Sequence, residues 1–546
     1  MKTPKPKIIE LSVKEWEGIL EHTESGPLSE AERGTLKALG ESYLHLLTLL
    51  EDKGTSIDRL RKLLFGSGSE KTCDVVPPDP AAPPTGGKDL SDLSPEEPGP
   101  VPGHGRHGAE DYTGGERIQV FHGSLKHGDP CPECGKGKVY ELSSPGVLVR
   151  MMGQAPIQAK VYELQKLRCH LCGKVFTAEA PEGVGSEKYD ATAGSMVALL
   201  KYGSGLPFNR LEGLQAGLGI PLPASTQWEI VEAVAAVVQP AYEELIRQAA
   251  QGDVLHNDDT TIKILEFMGK RAKQEVLAED GAEESAEKKR SGLFTSGIVS
   301  TAESRRIALF FSGRQHAGEN LTDVLARRAA DLAPPIQMCD ALSRNAPVAF
   351  KTLLANCLAH GRRQFVGVAE RFPDECRYVL ERLRDVYRND ATARKRNLSS
   401  EERLAFHQAE SGRIMQKLQA WCTLQLEGRL VEPNSALGEA IAYLLRHWGK
   451  LTLFLREPGA PLDNNIAERA LKKAILHRKN AMFYKTQNGA HVGDVFMSLI
   501  HTCELGGANP FDYLIELQRH ASELRANPRQ WMPWNYRESL TPTHSS

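Results

Sequence analysis

The sequence predicts a multidomain α/β protein, and the length of the chain and the order of its apolar segments are the observations behind this prediction. At 546 residues the chain is too long for one hydrophobic core, because domains usually hold ~100–200 residues. Strand-like segments at 253–265, 292–300 and 305–313 are followed by a helical pattern at 316–332 and a fourth strand-like segment at 335–340. Strands followed by a strand–helix alternation are typical of an α/β layer.

The N-terminal part of the chain predicts a helical module joined to the rest by a linker. Residues 1–72 contain leucines at steps of three and four, interrupted near Gly54, which favours either a short coiled coil or a helical hairpin. Residues 73–110 are rich in Pro and Gly and nearly devoid of large apolar side chains. Such a segment buries too little surface to offset its ordering entropy, so it is predicted to be a semi-extended linker.

The middle of the chain divides into segments with different patterns. Residues 111–180 are β-like and contain four cysteines, residues 185–248 are helical, and the predicted strands occupy 252–344. A charged segment at 270–291, between the first two strands, is predicted to be an exposed hairpin extension. We have no functional account of it.

Composition and segment lengths exclude several classes of protein. The net charge of -3 excludes a polycationic binder, although it leaves local basic patches possible. No apolar run approaches the ~18–20 residues of a membrane span, and the first twenty residues lack an apolar h-region. We therefore expect no membrane partner. Ten cysteines are too few for a disulfide scaffold, so we expect the protein to work in a reducing cytoplasm.

Two CxxC pairs predict a structural zinc site. Cys131 and Cys134 lie in CPECG, and Cys169 and Cys172 in CHLCG, with 34 residues between the pairs. Four thiolates in two such knuckles can enclose a tetrahedral zinc ion, and a β-like stretch at 151–169 would form a long ribbon hairpin between them. Free buried thiols are the alternative. A redox role is disfavoured because no thioredoxin-like βαβ unit surrounds either pair.

A helix–turn–helix candidate lies at 206–238. A helix, a turn marked by Gly and Pro, and a second helix opened by a cap at Ser225 or Thr226 are predicted. Such a unit can place its second helix in a DNA major groove. That helix offers only Thr226, Gln227 and Glu229 as early polar residues, so a helical hairpin packed inside a larger domain remains the alternative.

Three carboxylates have positions suited to a metal site. Asp258 ends the first predicted strand, Asp340 ends the fourth, and Glu468 lies on a helix. Carboxylates at neighbouring strand ends, joined by one from a helix, can hold two magnesium or manganese ions that act on a phosphodiester. Each acid alone is more often an ordinary turn or surface residue, and Asp259 is the competing choice beside Asp258.

Basic residues near Glu468 predict phosphate binding. From 469 to 490 there are six basic residues and no acidic ones, and 341–400 holds twelve Lys or Arg against six acids. The alternative is a solvated basic surface. The predicted DNA-binding side chains are Arg362, Arg363, Arg469, Lys472, Lys473, Arg478 and Lys479.

In these motifs the chain resembles the bacterial insertion sequence 66 family of DDE transposases. The resemblance runs in order along nearly the whole chain, and DNNIAERALK is its most specific block. The matching blocks are LRKLLFGSGSEK at 60–71, the two cysteine knuckles, KYGSGLPFNRLEGL at 201–214, HNDDT at 256–260, the CD of 339–340, CLAHGRRQF at 357–365, DNNIAERALK at 463–472 and HRKNAMF at 477–483.

The resemblance implies an RNase H-like catalytic domain whose acidic triad is Asp258, Asp340 and Glu468. The 128 residues from Asp340 to Glu468 imply a large all-helical insertion in this domain. The family commonly has Glu at the position of Asp259. It also has an N-terminal segment of leucine-zipper character, a zinc-binding domain and a helix–turn–helix-like segment. The implied boundaries are 252–344 and 456–500 for the catalytic domain, 345–455 for the insertion and 501–546 for a C-terminal segment.

The implied function is DNA transposition. The enzyme would bind the terminal inverted repeats of a mobile element, free a 3′ hydroxyl with its metal ions, and join that hydroxyl to target DNA on the nucleoid. A homo-oligomer on paired ends is expected, and accessory proteins of the element are conceivable partners. The alternatives are a catalytically inactive or repurposed zinc-dependent DNA-binding protein, and a nuclease that cuts without rejoining.

Overall fold

The computed structural model describes residues 122–134, 136–140, 154–168, 175–185, 187–268, 292–302, 305–347 and 349–540, together with Val75 and Gln119. The predicted helical module and linker therefore lie outside the described residues, apart from Val75. The charged segment at 270–291 and the second cysteine knuckle also lie outside them. Among the described residues, no helix combines the length and apolar character needed to cross a bilayer.

The centre of the protein is a five-stranded mixed sheet. Two short strands precede it, β1 (Lys166–Arg168) and β2 (Val175–Thr177). The sheet contains β3 (Val254–Thr261), β4 (Phe294–Ala302), β5 (Arg305–Gly313), β6 (Ile336–Cys339) and β7 (Leu353–Asn356), in the order β5-β4-β3-β6-β7. β3, β4 and β5 are antiparallel neighbours, whereas β6 and β7 run parallel to β3. The prediction of an α/β layer is thereby confirmed.

Helices account for most of the remaining described residues. In chain order they are α1 (Ala191–Ala198), α2 (Phe208–Gly217), α3 (Ala224–Ala249), α4 (Ala317–Leu325), α5 (Leu358–Val368), α6 (Pro373–Lys395), α7 (Ser400–Glu410), α8 (Gly412–Glu427), α9 (Ala436–Leu451), α10 (Asn465–Ala481), α11 (Gln487–Gly506), α12 (Pro510–Arg519), α13 (Ala521–Ala526) and α14 (Tyr536–Leu540). A π-helical turn, Leu199–Gly203, continues α1. One compact unit contains residues 86–365 and 381–546, and residues 366–380 belong to another.

The predicted all-helical insertion at 345–455 is wrong at its N-terminal end, because β7 lies inside it. β7 pairs in parallel with β6, from Ile336↔Leu353 to Cys339↔Asn356. β7 has four residues, of which only the last two are buried, so it shows neither a buried apolar run nor a strand alternation, and the sequence predicted helix there. The four strands that were predicted are all present.

The helical segment at 185–248 shares its core with the sheet. Val197, Val231 and Leu245 are fully buried in the same apolar cluster as Leu255 and Leu309 of the sheet. Aromatic residues of the C-terminal segment, such as Tyr513, belong to this cluster too. Both segments therefore pack as parts of the domain that contains the sheet, rather than as separate modules.

Helix α11 covers the open edge of β5 with a row of polar side chains. Thr502 Oγ1, Ser498 Oγ and Asp494 Oδ2 accept hydrogen bonds from the backbone N–H groups of Ala308 (3.1 Å), Phe310 (2.9 Å) and Ser312 (2.7 Å). Four helical residues rise about 6 Å, and two strand residues span about 6.6 Å. This match lets the alternate β5 amides from Ala308 to Ser312 find acceptors on α11. An edge that would otherwise attract another strand is thereby satisfied internally.

The strand predicted at 151–169 is described at 154–168, and most of these residues are not in a strand. Only 166–168 forms a strand, which pairs with β2 in an antiparallel hairpin. Upstream, Gln215 Nε2 donates to the Ile157 carbonyl (2.8 Å), and Ile157 N–H donates to Gln215 Oε1 (3.5 Å). The backbone near Ile157 is thus paired with a side chain of α2 instead of a neighbouring strand.

The free energy of unfolding of Asp494→Asn, relative to that of the wild type, is expected to be higher at pH 8 than at pH 5. Burial raises the pKa of Asp494 to about 7 from its ordinary 3.8. The unfolded chain therefore releases this proton at lower pH, and the wild type loses stability as the pH rises from the unfolded pKa to the folded one. Asparagine removes this loss, and its oxygen can still accept from Ser312.

Urea-unfolding free energies of both proteins at pH 5 and pH 8 test this prediction. Asp323→Asn is the control, because Asp323 is exposed and accepts a side-chain bond from Gln315 at 3.1 Å. A difference between Asp494→Asn and wild type that is the same at both pH values would contradict the prediction.

Candidate active site

Asp258 and Asp340 lie side by side on neighbouring parallel strands. The register pairs His256 of β3 with Met338 of β6, so two residues further along Asp258 faces Asp340, directly after β6 ends. Neighbouring strands are ~4.8 Å apart, and residues two positions apart share one face of a sheet. The structure therefore brings these two predicted carboxylates together.

Glu468 lies near Asp258 and Asp340 because the start of α10 is fixed to β3. Asn464, the N-cap residue of α10, is fully buried between the helix and the strand. Its Nδ2 donates to the Asn257 carbonyl (3.1 Å), and its Oδ1 lies 3.1 Å from His256 Nδ1. Since the Asn464 amide nitrogen is a donor, the oxygen accepts from a protonated His256 Nδ1. Glu468 lies one turn further along the helix.

The electrostatics of Asp258 show that the acidic groups act on one another. Burial raises the pKa of Asp258 from 3.8 to about 7, and the charges of Asp340, Asp259 and Glu468 raise it as well. A hydrogen bond from the Asp259 N–H (2.8 Å) opposes this shift. A partly buried carboxyl group surrounded by three others favours either a proton or a cation. The oxygen donors suit a hard divalent metal ion.

Residues of α5 surround the carboxylate of Glu468. Arg363 donates to both of its oxygens, at 3.3 and 3.1 Å, in a bidentate pair. His360 Nε2 lies 3.9 Å from Oε1. The Cys357 sulfur belongs to the same cluster, and burial raises the pKa of that thiol to about 11.

Asp259 points away from this cluster. Its side chain is 2% exposed, and it pairs with His316 (2.9 Å) and Arg344 (3.3 Å). The His316 ring in turn packs on Phe294, with centroids 4.1 Å apart. Because successive strand residues face opposite sides, neighbouring acids receive different partners. This geometry favours Asp258 over Asp259 as the metal-site residue.

A network of buried amide side chains, which the sequence analysis missed, holds the Asp340 loop. The Asn345 side chain donates to Asp340 Oδ1, and the backbone carbonyl of Asn345 accepts from the side chains of Asn257 (2.8 Å) and Gln337 (2.6 Å). Asn356 Nδ2 donates to the Asp340 carbonyl (3.2 Å). The available signal was the presence of amides at strand positions where a buried strand usually has apolar residues.

The predicted DNA-binding residues fall into two groups. Arg469, Lys472 and Lys479 are exposed along one face of α10. Lys473 instead pairs with Glu504 (2.7 Å), and Arg478 donates to the Thr261 hydroxyl at the end of β3 (2.8 Å). On α5, Arg362 is half-buried beside Arg363.

The helix–turn–helix candidate has a buried residue where DNA contacts were predicted. Gln227 is fully buried, and its Nε2 donates to the carbonyls of Phe208 (3.1 Å) and Leu222 (2.8 Å). The predicted Ser or Thr cap is wrong, because Pro223 is the N-cap residue of α3. The residues at the turn thus favour the alternative of a helical hairpin packed inside the domain.

The first cysteine knuckle has a geometry suited to a metal. An isolated antiparallel bridge pairs Pro130 with Lys138, and Cys131 N–H donates to the Gly137 carbonyl (2.8 Å). Hydrogen bonds from the Gly137 and Lys136 amides lower the pKa of the Cys134 thiol. Such amides stabilise a thiolate, the form that binds zinc. Cys169 and Cys172 lie outside the described residues.

The fold and this acidic cluster define a class: α/β proteins with carboxylates gathered beside the carboxyl ends of parallel strands. A model of the family described as "Transposase IS66 family" matches residues 188–492, more than half of the chain. The chain therefore belongs to the transposase IS66 family. This match confirms the family resemblance found in the sequence motifs.

Similar proteins come from Sinorhizobium fredii (strain NBRC 101917 / NGR234). The chain is 34% identical to the uncharacterized protein y4jD over 188 residues, which are 34% of this chain and 36% of y4jD. It therefore spans about a third of that relative. It is 24% identical to the uncharacterized protein y4hP over 442 residues, covering 76% of this chain and 74% of y4hP. The uncharacterized protein y4qI is 25% identical over 362 residues, 62% and 61% of the two chains.

Replacing Asn464 with alanine is expected to lower the free energy of unfolding by about 2–4 kcal/mol, because two buried groups of β3 lose their partners. Asn480→Ala is the control, since Asn480 lies on the same helix and makes one half-buried bond to the Gly205 carbonyl (3.0 Å). Urea unfolding measures both variants. Equal losses in the two would contradict the role given to Asn464.

Proposed function

We propose that the chain is a DNA transposase that binds the ends of an insertion sequence, cleaves them to leave a 3′ hydroxyl and joins that hydroxyl to target DNA. The observation that carries the proposal is the convergence of Asp258, Asp340 and Glu468 from two parallel strands and one helix. Membership in a transposase family supports the reaction class. Because these three acids come together at one place, they support the two-metal DDE mechanism within that class.

The proposed catalytic domain is RNase H-like. Three antiparallel strands followed by two that run parallel to the first support this assignment, as does the position of the acids on the first and fourth strands of the sheet in chain order. The helices α6 to α9 would form the insertion, and α10 would return the chain to the sheet.

The donor set fits two magnesium or manganese ions. Asp258, Asp340 and Glu468 offer only oxygen ligands. Burial raises the pKa of Asp258 and the neighbouring carboxylates raise it further, so a cation bound there would stabilise its charged form. Bound there, the ions would activate the attacking oxygen and stabilise the leaving oxygen of a phosphodiester.

The chain's own residues orient this site. The amide of Asn345 and the N–H of Leu342 (3.1 Å) hold one oxygen of Asp340, which leaves its other oxygen available. Arg363 holds Glu468 in a fixed position through two hydrogen bonds. Preorganised ligands of this kind lose little freedom when a cation binds.

We propose further that DNA phosphates bind the exposed face of α10 that carries Arg469, Lys472 and Lys479, next to Glu468 on the helix. Arg362 and Arg363 lie on the neighbouring helix. A zinc ribbon built on the four knuckle cysteines would form a further module. Assembly of several subunits on paired DNA ends and help from accessory proteins of the element are part of this proposal, and the bacterial nucleoid is where such an enzyme works.

Replacing Asp340 with asparagine is expected to abolish cleavage and joining by at least a hundredfold while leaving the protein folded. The amide preserves the side-chain shape but removes a charge from the proposed metal site. The assay uses purified full-length protein, magnesium and DNA that carries the element's own ends, and it separates nicked from joined products. Asp323→Asn is the control, because Asp323 is exposed on α4.

Each outcome of this assay distinguishes one function. Joined products that persist with Asp340→Asn would refute the assignment of this residue. Nicked DNA without joined products from the wild type would indicate a nuclease. Binding of the ends without cleavage, even after the element's companion proteins are added, would favour the DNA-binding alternative.

Lys472→Ala is expected to weaken DNA binding and to reduce the slope of log affinity against log salt by about one, as expected for one lost phosphate contact. Lys473→Ala serves as the control and should change the slope less, because Glu504 already neutralises Lys473. Fluorescence anisotropy at four salt concentrations measures both slopes. Identical slopes for the two variants would contradict the proposed DNA face.

A further inference from the structure

The segment CLAHGRRQF contributes two side chains that the proposed function does not use, Cys357 and His360. Together with Glu468 they form a cluster in which one ligand atom from each residue lies within 4.8 Å of the others. Cys357 is fully buried directly before α5, and His360 lies three residues further, in the first turn of that helix. The Cys-x-x-His spacing therefore presents sulfur and imidazole to the same point.

The surroundings of these atoms are those of ligands. The Cys357 sulfur accepts the backbone N–H of Asn464 at 3.3 Å, which holds it beside the start of α10. The His360 Nδ1 is buried, and within the described part of the chain it has no hydrogen-bond partner. Its Nε2 faces Glu468 Oε1 at 3.9 Å, too far for a hydrogen bond. Neither ring nitrogen of His360 is therefore occupied by a hydrogen bond among the described residues, and Nε2, on the side of Glu468, is available to an ion.

The chemistry of the three groups selects the kind of ion. Sulfur and imidazole are ligands of zinc and similar borderline-soft cations, whereas magnesium takes oxygen. Two ligands bonded to zinc at a tetrahedral angle lie about 3.4 Å apart, so the 3.9 Å between His360 and Glu468 needs only a small adjustment. Three protein ligands leave a fourth position open for water.

We propose that Cys357, His360 and Glu468 form a binding site for a zinc-type divalent cation, separate from the cysteine knuckles. Glu468 would then belong to two sites, this one and the proposed magnesium site, and only that shared role rests on the proposed function. An ion held by Cys357 and His360 would draw the Glu468 carboxylate toward α5, on the side from which Arg363 already holds it.

Cobalt(II) is the probe, because thiolate ligation gives it an intense near-ultraviolet absorption and a countable stoichiometry. The full-length protein is stripped of metal and titrated with cobalt(II) as wild type, Cys357→Ser, His360→Ala and Cys422→Ser. Cys422 is a fully buried cysteine on α8, so its variant controls for the loss of a buried thiol. Circular dichroism verifies that each variant is folded.

Cys357→Ser and His360→Ala are each expected to bind one cobalt ion fewer per chain than wild type, and Cys422→Ser the same number. The thiolate absorption that remains in Cys357→Ser belongs to the knuckle cysteines. His360 is partly exposed, so its variant tests the site even if Cys357→Ser does not fold. Equal stoichiometry and spectra in wild type and both ligand variants would overturn the proposal. No DNA is present, so failure here leaves the transposase proposal standing, and failure of the cleavage assay leaves this site standing.

Discussion

The arrangement of the acidic cluster depends on the attachment of Asn464 to β3. This one side chain satisfies the Asn257 carbonyl and the His256 ring, two groups that would otherwise be buried without partners. Burial lowers the pKa of His256 to about 4, so the ring is neutral and can donate to the amide oxygen. Because Asn464 is the N-cap residue of α10, fixing it to the strand also fixes the direction of the helix and the place of Glu468.

The cationic side chains near the acidic cluster lie beside Glu468 and Asp259 rather than beside Asp258 and Asp340. Burial raises the pKa of Asp258 and the neighbouring carboxyl groups raise it further, which costs stability unless a proton or a metal compensates. Arg363 compensates Glu468, and Arg344 compensates Asp259, which is also hydrogen-bonded to His316. The part of the cluster around Asp258 and Asp340 is left for a cation from solution. The buried amides behind Asp340 hold the geometry without adding charge.

The sequence predicted the parts of the fold that have a strong local signal. β3, β4 and β5 have eight or nine residues, and β6, although it has only four, is a fully buried and mostly apolar run that ends at Asp340, so these strands could be predicted. β7 could not, because only the last two of its four residues are buried and it carries no buried apolar run. The amide network was missed since a polar residue in a strand reveals its role only when its partner, such as Asn345 for Gln337, is known. Likewise, the faces of Asp258 and Asp259 follow from strand alternation only once the register is fixed.

The helical segment between β7 and α10 is long, but the two ends of this segment contact each other, so its length does not disturb the site beside them. The Leu358 N–H donates to the Leu462 carbonyl (2.9 Å), and the Asn464 N–H donates to the Cys357 sulfur. The entropy of closing a loop grows only with the logarithm of its length, so an insertion of this size costs little more than a short one once its ends are joined. The residues that join them are neighbours of His360 and Glu468. The same contacts that close the insertion therefore hold the start of α5 against the start of α10.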